Sequence, residues 1–165
     1  MLEAQLLAGV RADARVACGP QRVDLPLRAA AGVECHPRPD LVTGVGFYLF
    51  RTQVDLLATY FALLSGQGIQ PRSGDCYHAL GGEGAYTPGD GGPDFIAERE
   101  GCFVDPAGSA HYLATLAGPP IGDGGYEFGG PFILVVVDGQ AGDPAKLRSW
   151  AWLGNQAAPG APTIW

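Results

Sequence analysis

The chain has 165 residues, 47 % of them hydrophobic and 16 % charged, enough apolar mass for one core and too much for disorder throughout. Its net charge of −7 leaves no basic face for displacing counterions from nucleic acid or for adhering to an anionic membrane. With 26 glycines and 14 prolines, long irregular connections between elements are expected.

No run approaches the roughly 18 apolar residues of a membrane span, so membrane insertion is not expected. Glu3 stands where a secretory leader carries basic residues. Either the chain is intracellular, or Met1 opens a cleaved fragment, or export uses another route.

Residues 2–17 have a helical pattern, with Leu2, Leu6, Leu7 and Val10 on one face and Gly19-Pro20 as terminator. Residues 21–32 read as a connector and 32–35 as a short strand, broken by His36-Pro37-Arg38-Pro39-Asp40 because each proline removes a backbone donor. Residues 41–50 are the clearest strand. Val45, Phe47 and Leu49 form one apolar row, Tyr48 and Phe50 the other, so both faces should be covered. A helix follows, started by Thr52 as N-cap with Asp55 three residues on, and stopped by Gly66 and Gly68. Its expected buried face is Val54, Leu57, Tyr60/Phe61 and Leu64.

Ser73-Gly74-Asp75-Cys76 is a turn that delivers a cysteine, and 81–94 reads as loop. Residues 95–104 and 109–116 form an expected hairpin around Asp105-Pro106-Ala107-Gly108. A second glycine-rich loop spans 118–130. Residues 132–137, FILVVV, are β-branched and continuous, the composition of a central strand. The last helix opens on Asp143 as N-cap with Pro144 at the first helical position, buries Leu147, Trp150 and Leu153, and stops at Gly154. No convincing internal repeat is found in the chain.

Four cysteines, Cys18, Cys35, Cys76 and Cys102, have no CxxC spacing. An even count in a small Gly/Pro-rich chain favours two disulfides. A zinc site would have to draw on Cys35-His36, Cys76-Tyr77-His78, Cys102 and His111, which are not the close pairs that tetrahedral zinc prefers. Free buried thiols are the third alternative.

Cys76 and His78 could form a thiolate–imidazole pair, but nothing nearby signals an orienting group or an oxyanion site. Asp90, Asp94, Asp105 and Asp123 sit in Gly/Pro loops without the alternating acids and closing glutamate of a calcium loop. The glycine runs at 89–92 and 122–130 precede no GK[ST], and the second leads into a strand, so phosphate-loop and dinucleotide readings fail. No metal and no cofactor is expected. Trp150 reads as core, whereas Tyr126, Phe128, Trp152 and Trp165 are the candidates for a ligand pocket or partner surface, Trp165 above all.

The succession of Cys18, Cys35-His36-Pro37, Phe47-Tyr48-Leu49-Phe50, Tyr60, Ser73-Gly74-Asp75-Cys76, Glu83-Gly84-Ala85-Tyr86, Arg99-Glu100-Gly101-Cys102-Phe103, Ile133 to Val137, and Trp150 with Trp152 covers residues 6–154. It resembles an uncharacterised extracytoplasmic domain of lipoproteins and membrane-anchored serine/threonine protein kinases in high-GC Gram-positive bacteria. The stretch 116–130 is longer here than in that pattern, and Leu113-Ala114-Thr115 replaces its Trp-Thr. The resemblance implies fold and disulfides, and carries no catalytic residues.

The resulting expectation is a single α+β domain over 1–154, an antiparallel or mixed sheet with helices packed on one face, followed by a tail over 155–165. The disulfides expected from chain proximity are Cys18–Cys35 and Cys76–Cys102, one of three possible pairings. The expected role is a non-catalytic extracytoplasmic module that binds a ligand or protein through its glycine-rich loops and aromatics. The alternatives are a structural subunit of a surface assembly or virion docking through its tail, and a small hydrolase using Cys76 and His78.

Overall fold

The computed structural model describes residues 2–9, 18–20, 26, 28–36, 42–76, 81–85, 99–116, 120–121, 127–128, 131–140 and 142–153. In chain order these form helix α1 (Leu2–Gly9), strands β1 (Cys18–Pro20), β2 (Ala31–Cys35) and β3 (Val42–Phe50), and helix α2 (Gln53–Gly66). Strands β4 (Gly82–Ala85), β5 (Arg99–Val104), β6 (Ala110–Leu116), β7 (Pro120–Ile121), β8 (Glu127–Phe128) and β9 (Phe132–Gly139) follow, then helix α3 (Pro144–Leu153). Among the described residues seven strands make one antiparallel sheet in the order β1-β2-β3-β9-β6-β5-β4, and β7 pairs with β8 apart from it.

The β-branched run does occupy the centre. β9 pairs with β3 on one side and β6 on the other, and its alternation divides the core. Ile133, Val135 and Val137 join Val45, Phe47, Tyr112 and Ala114 on one face, which Leu6 of α1 and Leu147 of α3 cover. Leu134 joins Phe50 and Leu113 on the opposite face, under Leu56, Tyr60 and Leu64 of α2. The expectation of helices on one face is therefore corrected: α2 lies on one side, α1 and α3 on the other. The physical reason is the doubly apolar β3, whose two rows each need a cover. Sheet outweighs helix, so α+β describes the molecule only coarsely.

The start of α2 follows its local chemistry. Thr52 has extended φ and ψ, and its Oγ1 accepts from the Asp55 backbone N–H at 3.1 Å. The same hydroxyl donates to Asp55 Oδ2 at 2.8 Å, so the aspartate closes the cap on the hydroxyl. At the far end Gly68 adopts φ +76°, its N–H reaches Ser65 O, and the Ile69 N–H reaches Leu64 O at 3.0 Å. That is a Schellman ending. The buried face is rotated from expectation: Leu56, Thr59, Tyr60 and Leu64 are buried, while Val54 is 72 % exposed. Apolar residues surround this helix, so the phase is set by the i, i+4 row 56–60–64 that meets the sheet.

Two further corrections concern the ends of the chain order. The predicted helix over 2–17 is described only as Leu2–Gly9, with Leu6 buried and Leu2 exposed, and 10–17 fall outside the described residues. Cys18–Pro20, expected to end that helix, is instead an edge strand, a position that tolerates a proline. The predicted loop at 81–94 begins with β4. The hairpin at 105–108 forms as expected: Gly108 N–H donates to Asp105 O and Asp105 N–H to Ser109 O, each at 2.9 Å.

Candidate functional site

Four strand ends converge at one end of the sheet. Ala85 faces Arg99 across β4 and β5, Glu100 faces Ala114 across β5 and β6, and Leu116 faces Ile133 across β6 and β9. The segments 86–98 and 117–131 therefore leave from and return to neighbouring strand ends. The backbone N–H of Arg99, the first residue after one segment, donates to Thr115 Oγ1 at 2.9 Å, just before the other. The bases of both segments are thus tied together.

A buried ion pair anchors this junction on the α2 face. Arg99 donates through Nε and Nη2 to the two carboxylate oxygens of Glu83, at 2.5 and 2.6 Å. Glu83 is 1 % exposed and Arg99 7 %. Tyr60 OH donates to Glu83 Oε1 at 3.1 Å, and the Arg72 backbone N–H to Oε2 at 2.8 Å, so the carboxylate receives four donors. The Arg99 guanidinium lies 5.2 Å from the centroid of the Phe61 ring. Burial and the neighbouring Glu83 charge push the Tyr60 hydroxyl far above its ordinary range. Burial works to lower the Arg99 pKa, but the Glu83 hydrogen bond and charge more than offset it, and the pKa rises.

Strand alternation sends the next residue to the opposite face. Glu100 Oε2 accepts from Tyr112 OH at 3.0 Å and from Arg148 Nε of α3 at 2.7 Å, and both ends of this ion pair are buried. Burial raises the Glu100 pKa, against the opposing pull of Arg148. Arg99 and Glu100, adjacent in sequence, thereby bolt one helix to each side of β5.

The segment before β4 closes the sheet edge. Gly74 N–H donates to Glu83 O at 3.3 Å, and a Cβ added at Gly84 would stand 2.9 Å from Gly74 O. The string Ser73-Gly74-Asp75-Cys76 thus runs against the outer side of β4, which shields an edge otherwise open to strand pairing. Cys76 then bridges to Cys102 with Cα atoms 5.8 Å apart, and both are fully buried. Cys18 and Cys35 are direct cross-strand partners at 4.0 Å between Cα atoms. Both expected pairings are present, and all four cysteines are bridged. With its sulfur in a disulfide, Cys76 has no thiolate to offer, which removes the nucleophile and zinc readings built on it.

At the other end of the sheet His111 stands between two carboxylates. Its Nδ1 lies 2.7 Å from Asp138 Oδ1 and its Nε2 3.1 Å from Asp105 Oδ2, with Phe103 stacked on the ring at 4.7 Å. Asp105, one of the aspartates weighed for calcium, spends its other oxygen on the Ala107 and Ser109 N–H groups of the turn. Among the described residues no group of three or more His, Cys, Asp or Glu is arranged to hold a metal. A surface groove of about 300 Å³ runs along the flank of α2 between Pro26, Arg28, Ala58, Thr59, Ala62 and Leu63.

Of the aromatic candidates, Tyr126 and Trp165 lie outside the described residues, as do His78, Asp90, Asp94 and Asp123. Phe128 belongs by its backbone to β8, opposite Pro120, and Trp150 and Trp152 belong to α3; their side chains lie outside the described set. Sequence reading missed Glu83, Arg99, Glu100 and Arg148. The available signal was Glu83 set between two glycines, and the charged run Glu98-Arg99-Glu100 leading into Gly101-Cys102-Phe103. It also missed a short repetition: residues 89–95 read GDGGPDF and 122–128 read GDGGYEF. Those strings fall within, or overlap, the two segments whose bases are joined.

No helix among the described residues is long and apolar enough to cross a membrane. Comparison of the chain with protein-family models, with curated proteins and with solved structures finds no match.

Proposed function

We propose that the protein is a non-catalytic extracytoplasmic binding module that meets its ligand or protein partner through segments 86–98 and 117–131. The observation that carries this reading is the Arg99 N–H to Thr115 Oγ1 bond over the Glu83–Arg99 ion pair. A buried ion pair contributes little net stability against apolar replacements, and its best-attested use is to fix one geometry. Here the pair joins β4 to β5 at the two ends of segment 86–98, and the Arg99 N–H to Thr115 Oγ1 bond ties that base to the start of segment 117–131. Both segments carry the G-D-G-G-x-acid-Phe string, so each offers a carboxylate and a phenyl ring from a chain that can approach a ligand closely. Binding residues are concentrated on loops positioned by a rigid scaffold. The two disulfides support an oxidising compartment outside the cytoplasm. The likeness to the extracytoplasmic domain of bacterial lipoproteins and receptor kinases points the same way.

The test probes a random-peptide phage library and a glycan array with the wild type and with a variant whose residues 87–97 and 122–126 are Gly-Ser of equal length. Ligands recovered on the wild type should bind the variant at least tenfold more weakly, while both disulfides and the unfolding midpoint are retained. Equal binding to the variant, or no ligand for the wild type, would overturn the reading.

A further inference from the structure

His111 is held in a way that only one of its protonation states satisfies. The residue sits on β6 directly opposite Asp138 of β9 and Phe103 of β5. A neutral imidazole carries one N–H, whereas the imidazolium carries two. Both ring nitrogens face a carboxylate oxygen, Asp138 at 2.7 Å and Asp105 at 3.1 Å. Only the imidazolium donates to both. In the neutral ring one nitrogen lone pair points at a carboxylate.

We propose that His111 is a proton-operated latch: doubly protonated it ties the β5–β6 turn to β9, and loss of one proton frees the turn. The longer contact, to Asp105, is the one released. The turn does not stand alone, because Gly142 N–H donates to Gly108 O at 3.1 Å just ahead of α3. Releasing Asp105 therefore loosens the point where the turn holds the start of that helix.

The groups facing the latch from the surrounding strands are mostly acidic. Asp105 comes from the turn and Asp138 from β9. From β2 comes Glu34, whose Oε1 and Asp138 Oδ2 flank Gly44 of β3, within 3.9 Å and 3.8 Å of where its Cβ would be. His36, just after β2, lies 3.7 Å from Glu34 Oε1 and 3.3 Å from Thr43 O. Tyr48 of β3 is raised in pKa by burial, Glu34 and Asp138. β5 supplies the uncharged Phe103. The hydrogen bond to Asp138 raises the His111 pKa above its ordinary value, against the effect of burial, and Asp105 assists. Asp105 is in turn lowered, first by its bond to His111.

The signs define the working range. The His111 contribution is complete below the ordinary histidine value, about 6.5, and is lost as pH rises through the raised folded value. The Asp105 contribution is complete above the ordinary aspartate value, about 3.9, and is lost as pH falls through its lowered folded value. The latch is closed in mildly acidic solution and opens as pH rises through the raised His111 value.

The test follows His111 ring resonances and amide-exchange protection factors by NMR from pH 4 to 9 in the wild type and in Asp105→Asn. In the wild type the His111 midpoint should lie above about 6.5. Protection at Ala107, Gly108, Ser109 and Gly142 should fall at least tenfold across that midpoint. In Asp105→Asn the midpoint should drop and the pH-dependent step in protection should vanish. Protection that is level across the His111 midpoint in the wild type, or an equal step in Asp105→Asn, would overturn the proposal.

Discussion

Glu83 shows how much a single buried carboxylate organises. Its four donors come from Tyr60 on α2, Arg72 before β4, and Arg99 on β5. Removing its charge strands the Arg99 guanidinium in the interior, which costs about 3–5 kcal/mol when a buried pair is broken. Glu83→Gln should therefore lower the free energy of urea unfolding by that amount, and Glu83→Gln with Arg99→Met should recover part of it. Equal losses in the single and double variants would show that the pair is not coupled. Tyr60→Phe removes one of four donors and should cost about 1 kcal/mol in the same measurement. None of this was legible in the sequence, because Glu83 and Arg99 are 16 residues apart and Glu100 and Arg148 are 48 apart. A lone charged residue in a glycine-rich stretch looks solvated until its partner is known.

Elements were legible where their chemistry is local. Thr52 with Asp55 marks the start of α2 because both groups of the cap lie within one turn. Thr52→Ala should cost about 1 kcal/mol and leave the fold intact by circular dichroism. The helix face was legible only in part: Tyr60 and Leu64 are buried as expected, but Val54, Leu57 and Phe61 are as apolar as the residues that are buried. β4 was hidden for a different reason. Its glycines suggest loop, yet they are there because the 72–75 segment presses against the strand. Gly84→Ala would drive a methyl group into the Gly74 carbonyl, and backbone cannot yield as a flexible side chain does. A loss of about 1–3 kcal/mol is expected. Faster amide exchange at Gly74 should accompany it, because its hydrogen bond to Glu83 O is the contact disturbed. An unchanged Gly74 amide would refute the edge-cover assignment.

At the scale of the molecule the two disulfides divide the labour. Cys18–Cys35 fastens the three-residue edge strand β1 to β2, whereas Cys76–Cys102 sits fully buried beside β4, β5 and β6. Each should contribute about 2–4 kcal/mol. Cys18→Ser with Cys35→Ser should release β1 amides to exchange and leave the central strands protected. Cys76→Ser with Cys102→Ser should loosen β4, β5 and the loop bases together. A sheet, antiparallel or mixed, its central strand and both bridges were legible, because strand composition and cysteine order are properties of the chain. The division of helices between two faces follows from β3 being apolar on both sides, a pattern visible in the sequence that did not by itself say which helix covers which row.

The binding end of this molecule is tested most directly by mapping a ligand recovered on the wild type onto the backbone amides by NMR. The largest shifts should fall on Ala85, Arg99, Leu116 and Phe132 and on the segments 86–98 and 117–131 that they bound. Shifts centred on the Asp105–His111 end of the sheet, or on the groove between Pro26 and Leu63, would contradict the account.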